Sequence, residues 1–306
     1  MPVRNQHPAQ LVVLRLEPTS AQTLPADATR VDLSLGYSSL FLRGKSATDT
    51  FVMDGELLRT ALGARVGLTD TLQFDFAIPT LHTTGGFLDH AVQEWHELLN
   101  TPESGRDLVP DGAYQVGATR NGQAVFSMRE TSLALMDIPL GLTWQLIGPT
   151  EKCPAALAVR GAVELPTGNA KDGMGNGGFD FALGVVGEVW RGPIALSAHA
   201  EYTLTHTPNQ ARAVGVDYAD LGSGGVGLEV ALAADTAFLL QLEVDQSVLR
   251  NLNGVNTGGT HVMLWLGLRS RLSEDLSMEF SFGEDMTHEV SPDFTVFLGF
   301  RLDVGR

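Results

Sequence analysis

The sequence has few of the residue types that mark nucleic-acid-binding, redox or metal-binding proteins. Among 306 residues there are only three lysines, Lys45, Lys152 and Lys171, and one cysteine, Cys153. A single cysteine excludes a disulfide within the chain, and no Cys or His cluster has metal-site spacing, so we expect no metal and no other cofactor. The formal net charge of −16 argues against nucleic acid as a partner, because neutralising phosphates requires clustered Lys and Arg.

Long hydrophobic runs are also lacking. No apolar stretch reaches about 18 residues, which excludes a transmembrane helix. Hydrophobic residues make up 43% of the chain and aromatic residues 7%, as in many soluble proteins. Barrels that cross membranes hide their lipid-facing residues by alternation, however, and give only a weak hydropathy signal. Composition is therefore compatible with both a soluble fold and a membrane barrel.

Alternation of apolar and polar residues is present in twelve segments. In the first of them Val31, Leu33 and Leu35 share one face, while Arg30 and Asp32 share the other. Successive side chains of a β-strand point to opposite faces, so each segment predicts a strand. The predicted strands begin near residues 30, 58, 72, 138, 157, 179, 194, 226, 238, 262, 276 and 294. Their number is even, as bacterial single-chain barrels require.

The links between these segments alternate in length. Short links such as Thr69-Asp70 and Arg191-Gly192 follow the even strands, and long ones such as residues 205–225 follow the odd strands. Strands of roughly 9 to 13 residues are long enough to cross a bilayer when tilted. Aromatic residues near strand ends, among them Phe51, Trp144 and Phe179, are expected to form girdles at the membrane interfaces.

These patterns predict an all-β fold, a twelve-stranded antiparallel transmembrane β-barrel with a polar lumen, short periplasmic turns, long external loops and one short loop helix. The barrel occupies residues 29–306, and residues 1–28 form either a periplasmic segment or a plug. A soluble sandwich or propeller is the architectural alternative, although propellers show repeats of about 40 residues, which we do not find here.

Charged residues of both signs occupy the polar face of the strands. Charge is tolerated there only beside water or a partner, so this face should line the lumen. The predicted lumen-lining residues are Arg30, Asp32, Arg59, Arg65, Asp75, Arg160, Glu164, Glu188, His199, Glu201, Glu229, Glu243, Arg269, Glu279, Arg301 and Asp303. They either pair with one another and plug a narrow barrel or line a pore that sorts solutes by charge, and the acidic excess would then favour cations.

A long external loop is predicted at about residues 81–130, with a helix at about 87–100. Loops of this length are usually functional or mobile. The apolar stripe of the helix either closes the barrel mouth as a lid or packs on the rim; the predicted lid residues are Phe87, Leu88, Val92, Trp95 and His96. His90 and Glu94 lie one helical turn apart near His96, but on a polar face such residues are more often solvated than metal-bound.

Three residues of one predicted strand suggest a hydrolase. Ser197, His199 and Glu201 share a face, but residues two apart on a strand lie about 6 to 7 Å apart, beyond hydrogen-bond reach. We therefore favour a lumen-lining role for His199 and Glu201 and name no catalytic residue.

Several motifs resemble an uncharacterised outer-membrane β-barrel family of Gram-negative bacteria, a domain-of-unknown-function family. The motifs are Pro79-Thr-Leu-His-Thr-Thr-Gly-Gly-Phe-Leu-Asp89 with Trp95-His96 and Gly105-Arg106-Asp107, then Glu164-Leu-Pro-Thr-Gly168 and Ser291-Pro-Asp-Phe294. The resemblance covers the chain from about Asn5 onward. It implies a barrel in the bacterial outer membrane and no known activity.

The sequence thus predicts an outer-membrane protein acting as a passive pore or small-solute channel. The alternatives are a membrane-embedded lipid-modifying enzyme and a closed barrel with a structural or interaction role; a non-enzymatic role is favoured without being decided. Outer-membrane lipids, the barrel-assembly machinery and small solutes are the expected partners. The start, MPVRNQHPAQ, has no apolar export-signal core, so we expect a mature form from which such a signal has been removed.

Overall fold

The alternating segments pair into one closed antiparallel barrel of twelve strands, which confirms the predicted fold. The structure, a computed structural model, describes residues 1–86, 110, 112–252, 258–287 and 291–304. The barrel strands are β1 (Thr29–Lys45), β2 (Asp49–Thr69), β3 (Leu72–Thr84), β7 (Ile138–Ile147), β8 (Ala155–Leu165), β9 (Asp180–Arg191), β10 (Ile194–Leu204), β11 (Leu221–Ala231), β12 (Thr236–Gln246), β13 (Thr260–Arg271), β14 (Leu276–Asp285) and β15 (Phe294–Val304). Three shorter strands are β4 (Gln115–Arg120), β5 (Gln123–Met128) and β6 (Thr131–Leu135).

The barrel closes where the first strand meets the last. Leu33 of β1 lies opposite Leu62 of β2 and also opposite Phe300 of β15. The short strand β6 precedes β7, and both pair with β3, so β6 and β7 together count as one of the twelve strands around the barrel. Closure leaves the twelve barrel strands without a free sheet edge, so their backbone hydrogen-bonding groups are paired within the wall, as a bilayer requires.

The outer surface of the wall is apolar. Leu62, Leu142 and Leu183 are 51%, 49% and 65% exposed, whereas Ala182 and Val186, which alternate with Leu183 along β9, are buried toward the interior. Strands β7 to β15 have 10 to 12 residues. At about 3.3 Å per residue and a tilt near 40°, eleven residues span about 28 Å, close to the height of an outer-membrane barrel's apolar band.

The two ends of the barrel differ. At the short-turn end β2 and β3, β7 and β8, β9 and β10, β11 and β12, and β13 and β14 are joined by links of two to seven residues. At the opposite, long-loop end β1 and β2 extend well beyond the other strands, to 17 and 21 residues. The described helices are α1 (Pro8–Leu11), α2 (Asn209–Ala213) and a single 3₁₀ turn, Ala170–Asp172. None of these helices is long and apolar enough to cross a bilayer.

A small apolar cap covers the long-loop end. Hairpin β4–β5 pairs with the outer part of β2, residues 49–54, and was not predicted within the loop at 81–130. Its Val116 and Phe126 pack with Phe51 of β2 and with Leu249 from the link after β12. Phe51 is fully buried there, so its expected place in a membrane-interface girdle is wrong; Trp144 and Phe179 are exposed on the outer wall, at 58% and 55%.

Residues 1–28 run inside the barrel as a hairpin without strand pairing, here called the inner segment. Followed backwards from the start of β1, the inner segment enters the barrel at the short-turn end, where the Asp27 N–H donates to the carbonyl of Gly67 at 3.0 Å. It reaches the long-loop end at α1, where Gln10 Nε2 donates to the carbonyl of Gln246 at 2.8 Å. It then turns back, so that the Met1 carbonyl accepts from Gln241 Nε2 of β12 at 3.2 Å.

Candidate functional site

Ion pairs between neighbouring strands neutralise much of the inner wall. Arg30 lies 2.6 Å from Asp303, and Arg65 lies 2.9 Å from Asp32. Arg269 Nη1 contacts Glu229 at 2.6 Å, its Nη2 contacts Glu279 at 3.0 Å, and Arg301 contacts Glu279 at 3.5 Å and Asp32 at 3.8 Å. All eight residues belong to the predicted lumen-lining set. They lie on the inner face, as the alternation predicts, and form ion pairs between adjacent or next-nearest strands.

The inner segment is bound to one side of this wall through Arg15. Its Nε lies 3.0 Å from Asp245 Oδ1 and 3.6 Å from Glu201 Oε1, and its Nη2 donates to Glu243 Oε2. Glu243 is held in turn by Gln241 Nε2 at 2.7 Å and by His199 Nε2 at 3.2 Å. The acidic side chains of β10 and β12 thus form an acidic wall that surrounds one buried guanidinium.

Two residues further along, the segment is bound to arginines on other strands. Glu17 Oε1 lies 3.1 Å from Arg59 Nη1 of β2, and the Glu17 carbonyl accepts from Arg160 Nη1 of β8 at 2.8 Å. Arg65 Nη1 donates to Thr19 Oγ1 at 2.6 Å. The segment therefore presents a positive group to the acidic wall and a negative group to a basic wall, in the order in which Arg15 and Glu17 occur along the chain.

Further hydrogen bonds to the wall continue toward the short-turn end. Ser20 Oγ donates to Glu188 Oε2 at 2.8 Å, and the Thr23 N–H donates to Gln145 Oε1 at 2.9 Å. The Leu24 N–H donates to Gln73 Oε1 at 3.1 Å. The segment therefore makes polar contacts with the wall along much of its length.

The turn of the segment at the long-loop end is held mainly by apolar contacts. Leu11, Val12 and Val13 are buried in the apolar core of the cap, and His7 stacks on Phe51 with ring centroids 5.7 Å apart. Burial, with a smaller contribution from neighbouring His261, lowers the pKa of His7 well below its usual value, so this imidazole is neutral.

The described part of the chain leaves two sizeable cavities inside the wall. One of about 440 Å³, at the short-turn end, is lined by Arg30, Glu229, Arg269 and Asp303 among others. The other, of about 120 Å³, lies beside β1, β2, β3, β7, β8 and β15. It is smaller than ligand pockets, which usually measure about 300 to 1,000 Å³. Among its lining residues are Asp75, Glu164, Arg59 and Arg160. Glu164 Oε2 and the Nε atoms of Arg59 and Arg160 are buried without a hydrogen-bond partner in the part of the chain that the structure describes.

The hydrolase arrangement weighed from the sequence is not assembled by these contacts. His199 faces Glu243 and Glu201 faces Arg15, on the acidic wall. Across residues 1–86, 112–252 and the other described ranges, no hydrogen bond joins Ser197 to His199, in keeping with the distance expected for residues two apart on a strand.

The predicted lid belongs to a part of the chain that the structure does not describe. The helix at 87–100, with Phe87, Leu88, Val92, Trp95 and His96, and also His90 and Glu94, lies outside the described residues. Within the described ranges, no three His, Cys, Asp or Glu side chains are grouped in a way that would hold a metal ion.

A buried aspartate network, which the sequence analysis did not find, fastens the segment near the long-loop end. Asp137, between β6 and β7, accepts from the N–H groups of Gly168 at 2.7 Å and Asn176 at 3.2 Å. Asn176 Nδ2 donates to Asp180 at 2.8 Å, and Asp180 accepts from the Leu14 N–H at 3.0 Å. Burial raises the pKa of Asp137 to about 6, against the opposing effect of its hydrogen bonds from Gly168 and Asn176. The signal in the sequence that could have indicated this network is Asp137, an acidic residue directly before the predicted strand that begins near residue 138.

The sequence matches, over residues 1–303, a family described as "Protein of unknown function (DUF3187)". The chain belongs to this family. The match confirms the resemblance inferred from the motifs. No curated protein matches the sequence.

The solved structures that are similar in fold include an outer membrane channel and a porin. The COG4313 outer membrane channel from Pseudomonas putida F1 superposes with a TM-score of 0.60 at 13% identity, covering 95% of this chain and 100% of that one. The NanC porin superposes with a TM-score of 0.51 at 7% identity, covering 90% of this chain and 100% of that one. At such low identity the likeness establishes the barrel architecture.

Proposed function

We propose that this protein is a passive outer-membrane channel for small solutes and that the inner segment closes its bore in the state described here. One observation carries the proposal: an apolar wall encloses an interior of charged side chains, and a separate stretch of chain fills that interior through polar contacts. A barrel that needed no passage would be filled at lower cost by apolar side chains, because buried charges are expensive even when paired.

Location and orientation follow the same logic. The two similar structures are named as an outer membrane channel and a porin, which supports an outer-membrane location and lipids as the surroundings of the wall. In such barrels the tight turns are periplasmic and the longer loops external. The short-turn end is accordingly assigned to the periplasm and the cap to the cell exterior, and insertion is assigned to the barrel-assembly machinery.

The character of the contacts supports a movable segment. Arg15, Glu17, Thr19, Ser20 and Thr23 bind the wall through ion pairs and hydrogen bonds. Water and ions can replace polar contacts of this kind when a segment moves, because a bridging water is nearly as favourable as a direct hydrogen bond. The largest set of apolar contacts lies at the turn of the segment in the cap. Smaller sets place Val3 with Trp265, Leu16 with Ala182 and Ala21 with Val186 along the bore.

A permanently closed barrel is the second candidate, and the small cavity of about 120 Å³ favours it. In that case the inner segment is an integral part of the protein core and the cap is the functional surface. The two candidates differ in whether the full chain ever conducts ions.

A reversible crosslink tests the proposal. A Cβ atom at Gly184 would lie 3.0 Å from Leu16 Cδ1, which is two bonds beyond Leu16 Cβ, so the two Cβ atoms lie at most about 5.6 Å apart. A small shift of the segment brings them to the Cβ–Cβ distance of about 3.5 to 4.5 Å that a disulfide needs. A shift of a few tenths of an ångström in the wall relieves the 3.0 Å approach of the Gly184 Cβ to the Ala200 carbonyl oxygen. We would place Leu16→Cys and Gly184→Cys in a Cys153→Ser background, because Cys153 is an exposed free thiol. The purified full chain would be reconstituted in planar lipid bilayers and its conductance recorded before and after reduction.

We expect no channel openings while the disulfide is intact and discrete openings after reduction, with Leu16→Cys alone insensitive to reductant. Openings of equal size and frequency in the oxidised protein would refute closure by the segment. Absence of openings in the reduced protein, the single variant and the unmodified chain would refute the channel and favour the closed barrel.

A further inference from the structure

We propose that Arg59 and Arg160 form a binding site for the carboxylate of small monocarboxylate solutes, and that Glu17 occupies this site while the bore is closed. The inference rests on the proposed channel function and adds the chemical class of the solute to it. It replaces the preference for cations that the net charge of the chain suggested.

The site is built around the inner segment. Arg59 contacts the Glu17 carboxylate at 3.1 Å, and Arg160 donates to the Glu17 backbone carbonyl at 2.8 Å. Both arginines belong to the barrel wall and are over nine-tenths buried, at 6% and 8% exposure. The Nε of each has no hydrogen-bond partner among the described residues. Two guanidinium groups therefore face an oxygen-bearing group with donors to spare.

These two arginines differ from the other arginines of the wall. Arg30, Arg65, Arg269 and Arg301 each have an acidic partner on another strand of the wall and keep it when the segment moves. The ion pair that the described structure gives Arg59 is with Glu17, and Arg160 has a hydrogen bond to the Glu17 backbone in place of one.

Departure of the segment would leave both guanidinium groups without these contacts. In a narrow bore bounded by protein, the attraction between these guanidinium groups and an anion is stronger than in bulk water, so an incoming anion is favoured at this position. Guanidinium groups match carboxylates in particular, since their planar donors pair with both oxygens.

Neighbouring acidic groups restrict the anion to a single charge. Asp75 and Glu164 line the same cavity, and Asp75 attracts Arg160 electrostatically. The closed site already holds one carboxylate, that of Glu17, beside Asp75 and Glu164. A monoanion restores the same charge when Glu17 leaves, whereas a dianion or a phosphate adds a further negative charge and meets repulsion. The side chain of Glu17 is itself a propionate group, which makes propionate the natural probe.

The experiment measures propionate binding by saturation-transfer NMR on the full chain in detergent micelles. Four forms are compared: the unmodified chain, Glu17→Ala, Glu17→Ala with Arg59→Gln, and Glu17→Ala with Arg129→Gln. Arg129 provides a matched charge change, because it is exposed in the external loop and pairs with Asp172 at 3.3 Å. Propionamide and succinate serve as the neutral and doubly charged probes. Heat-modifiable gel mobility verifies that each form is folded.

We expect Glu17→Ala to bind propionate at least about tenfold more tightly than the unmodified chain, and Arg59→Gln to reverse that gain, because one charge-assisted hydrogen bond is worth about a factor of ten or more. Arg129→Gln should leave the gain intact, propionamide should not bind, and succinate should bind more weakly than propionate. If the Arg59→Gln form does not fold, Arg59→Lys replaces it and should give an intermediate affinity.

The proposal is overturned if propionate binds equally to all four forms, if propionamide binds as well as propionate, or if Arg129→Gln has the same effect as Arg59→Gln. This readout requires no conduction. If the chain binds propionate as expected but shows no openings in bilayers, the binding site is supported and the channel function is refuted. If the chain opens but does not bind propionate, the channel function is supported and the binding site is refuted.

Discussion

Replacing Arg15 by methionine should release the inner segment from the acidic wall. The side chain of Arg15 is 6% exposed, and those of Glu201, Glu243 and Asp245 are 3%, 1% and 5% exposed. Methionine keeps most of the volume but leaves three carboxylates facing an apolar group. Removing one partner from a buried ion pair costs about 3 to 5 kcal/mol, because the remaining charge loses its compensation.

That cost applies to the closed state, since in the open state water reaches the carboxylates. The ratio of open to closed channels should therefore rise by about two to three and a half orders of magnitude, at 1.4 kcal/mol per factor of ten. Single-channel recording of the purified Arg15→Met protein in planar bilayers measures this ratio directly. Arg129→Met is the control, because its ion pair with Asp172 is exposed and such pairs contribute about 0 to 1 kcal/mol.

An open fraction unchanged by Arg15→Met, in protein that retains its folded gel mobility, would refute the reasoning. It would mean that Arg15 is not what holds the segment, or that the segment does not control the bore. An equal increase in Arg129→Met would point to a general loosening of the protein.

Three further predictions concern the membrane and the loops. Cys153, exposed in a short turn, should react with a membrane-impermeant maleimide only after the outer membrane of the cells has been permeabilised; labelling of intact cells would reverse the orientation. Leu183→Arg should destabilise the barrel against urea by about 2 to 4 kcal/mol, the cost of a lipid-facing charge near the midplane, while Leu232→Arg in a short turn should cost about 0 to 1 kcal/mol; equal costs would contradict a lipid-facing wall. Burial raises the pKa of Asp137 to about 6, so folding favours the protonated form of this residue. Lowering the pH from 7 to 5 should therefore stabilise the surrounding loop. The amide exchange rates of residues 166–179, corrected for intrinsic rates, should then become slower. Asp137→Asn should abolish this pH effect, and a persisting effect would assign it to another group.

The wall of the barrel was predictable because a strand exposed to lipid on one side and to polar groups on the other must alternate. Leu183 and Ala182 lie on opposite faces in the sequence pattern and in the structure alike. The same physics explains the error at Phe51. Alternation predicts on which face of β2 the Phe51 side chain lies. It does not predict what contacts that face. Beyond the membrane, hairpin β4–β5 pairs with β2 and buries Phe51, and the sequence of β2 alone gives no sign of that hairpin.

The interior contacts were less accessible to sequence reasoning. Residues 1–28 have no periodic pattern, so their position inside the barrel depends on complementarity with distant strands. Arg15 and Glu17 are ordinary charges in the sequence and become informative only when Glu243 and Arg59 are seen on different sides of the bore. The net charge of the chain likewise suggested a preference for cations. A sum over all residues does not show which arginines have an acidic partner in the wall and which do not.

Collision accessibility along β9, measured by electron paramagnetic resonance of spin labels placed one at a time at residues 181 to 186, tests the central claim most directly. Labels at Phe181, Leu183 and Val185 should collide with lipid-soluble oxygen. Labels at Ala182 and Val186 should be shielded from both oxygen and a water-soluble nickel chelate, and should become accessible to the chelate when Arg15→Met is added. Oxygen accessibility at Ala182 and Val186, or chelate accessibility there in the otherwise unmodified chain, would contradict a lipid-facing apolar wall around a bore filled by the inner segment.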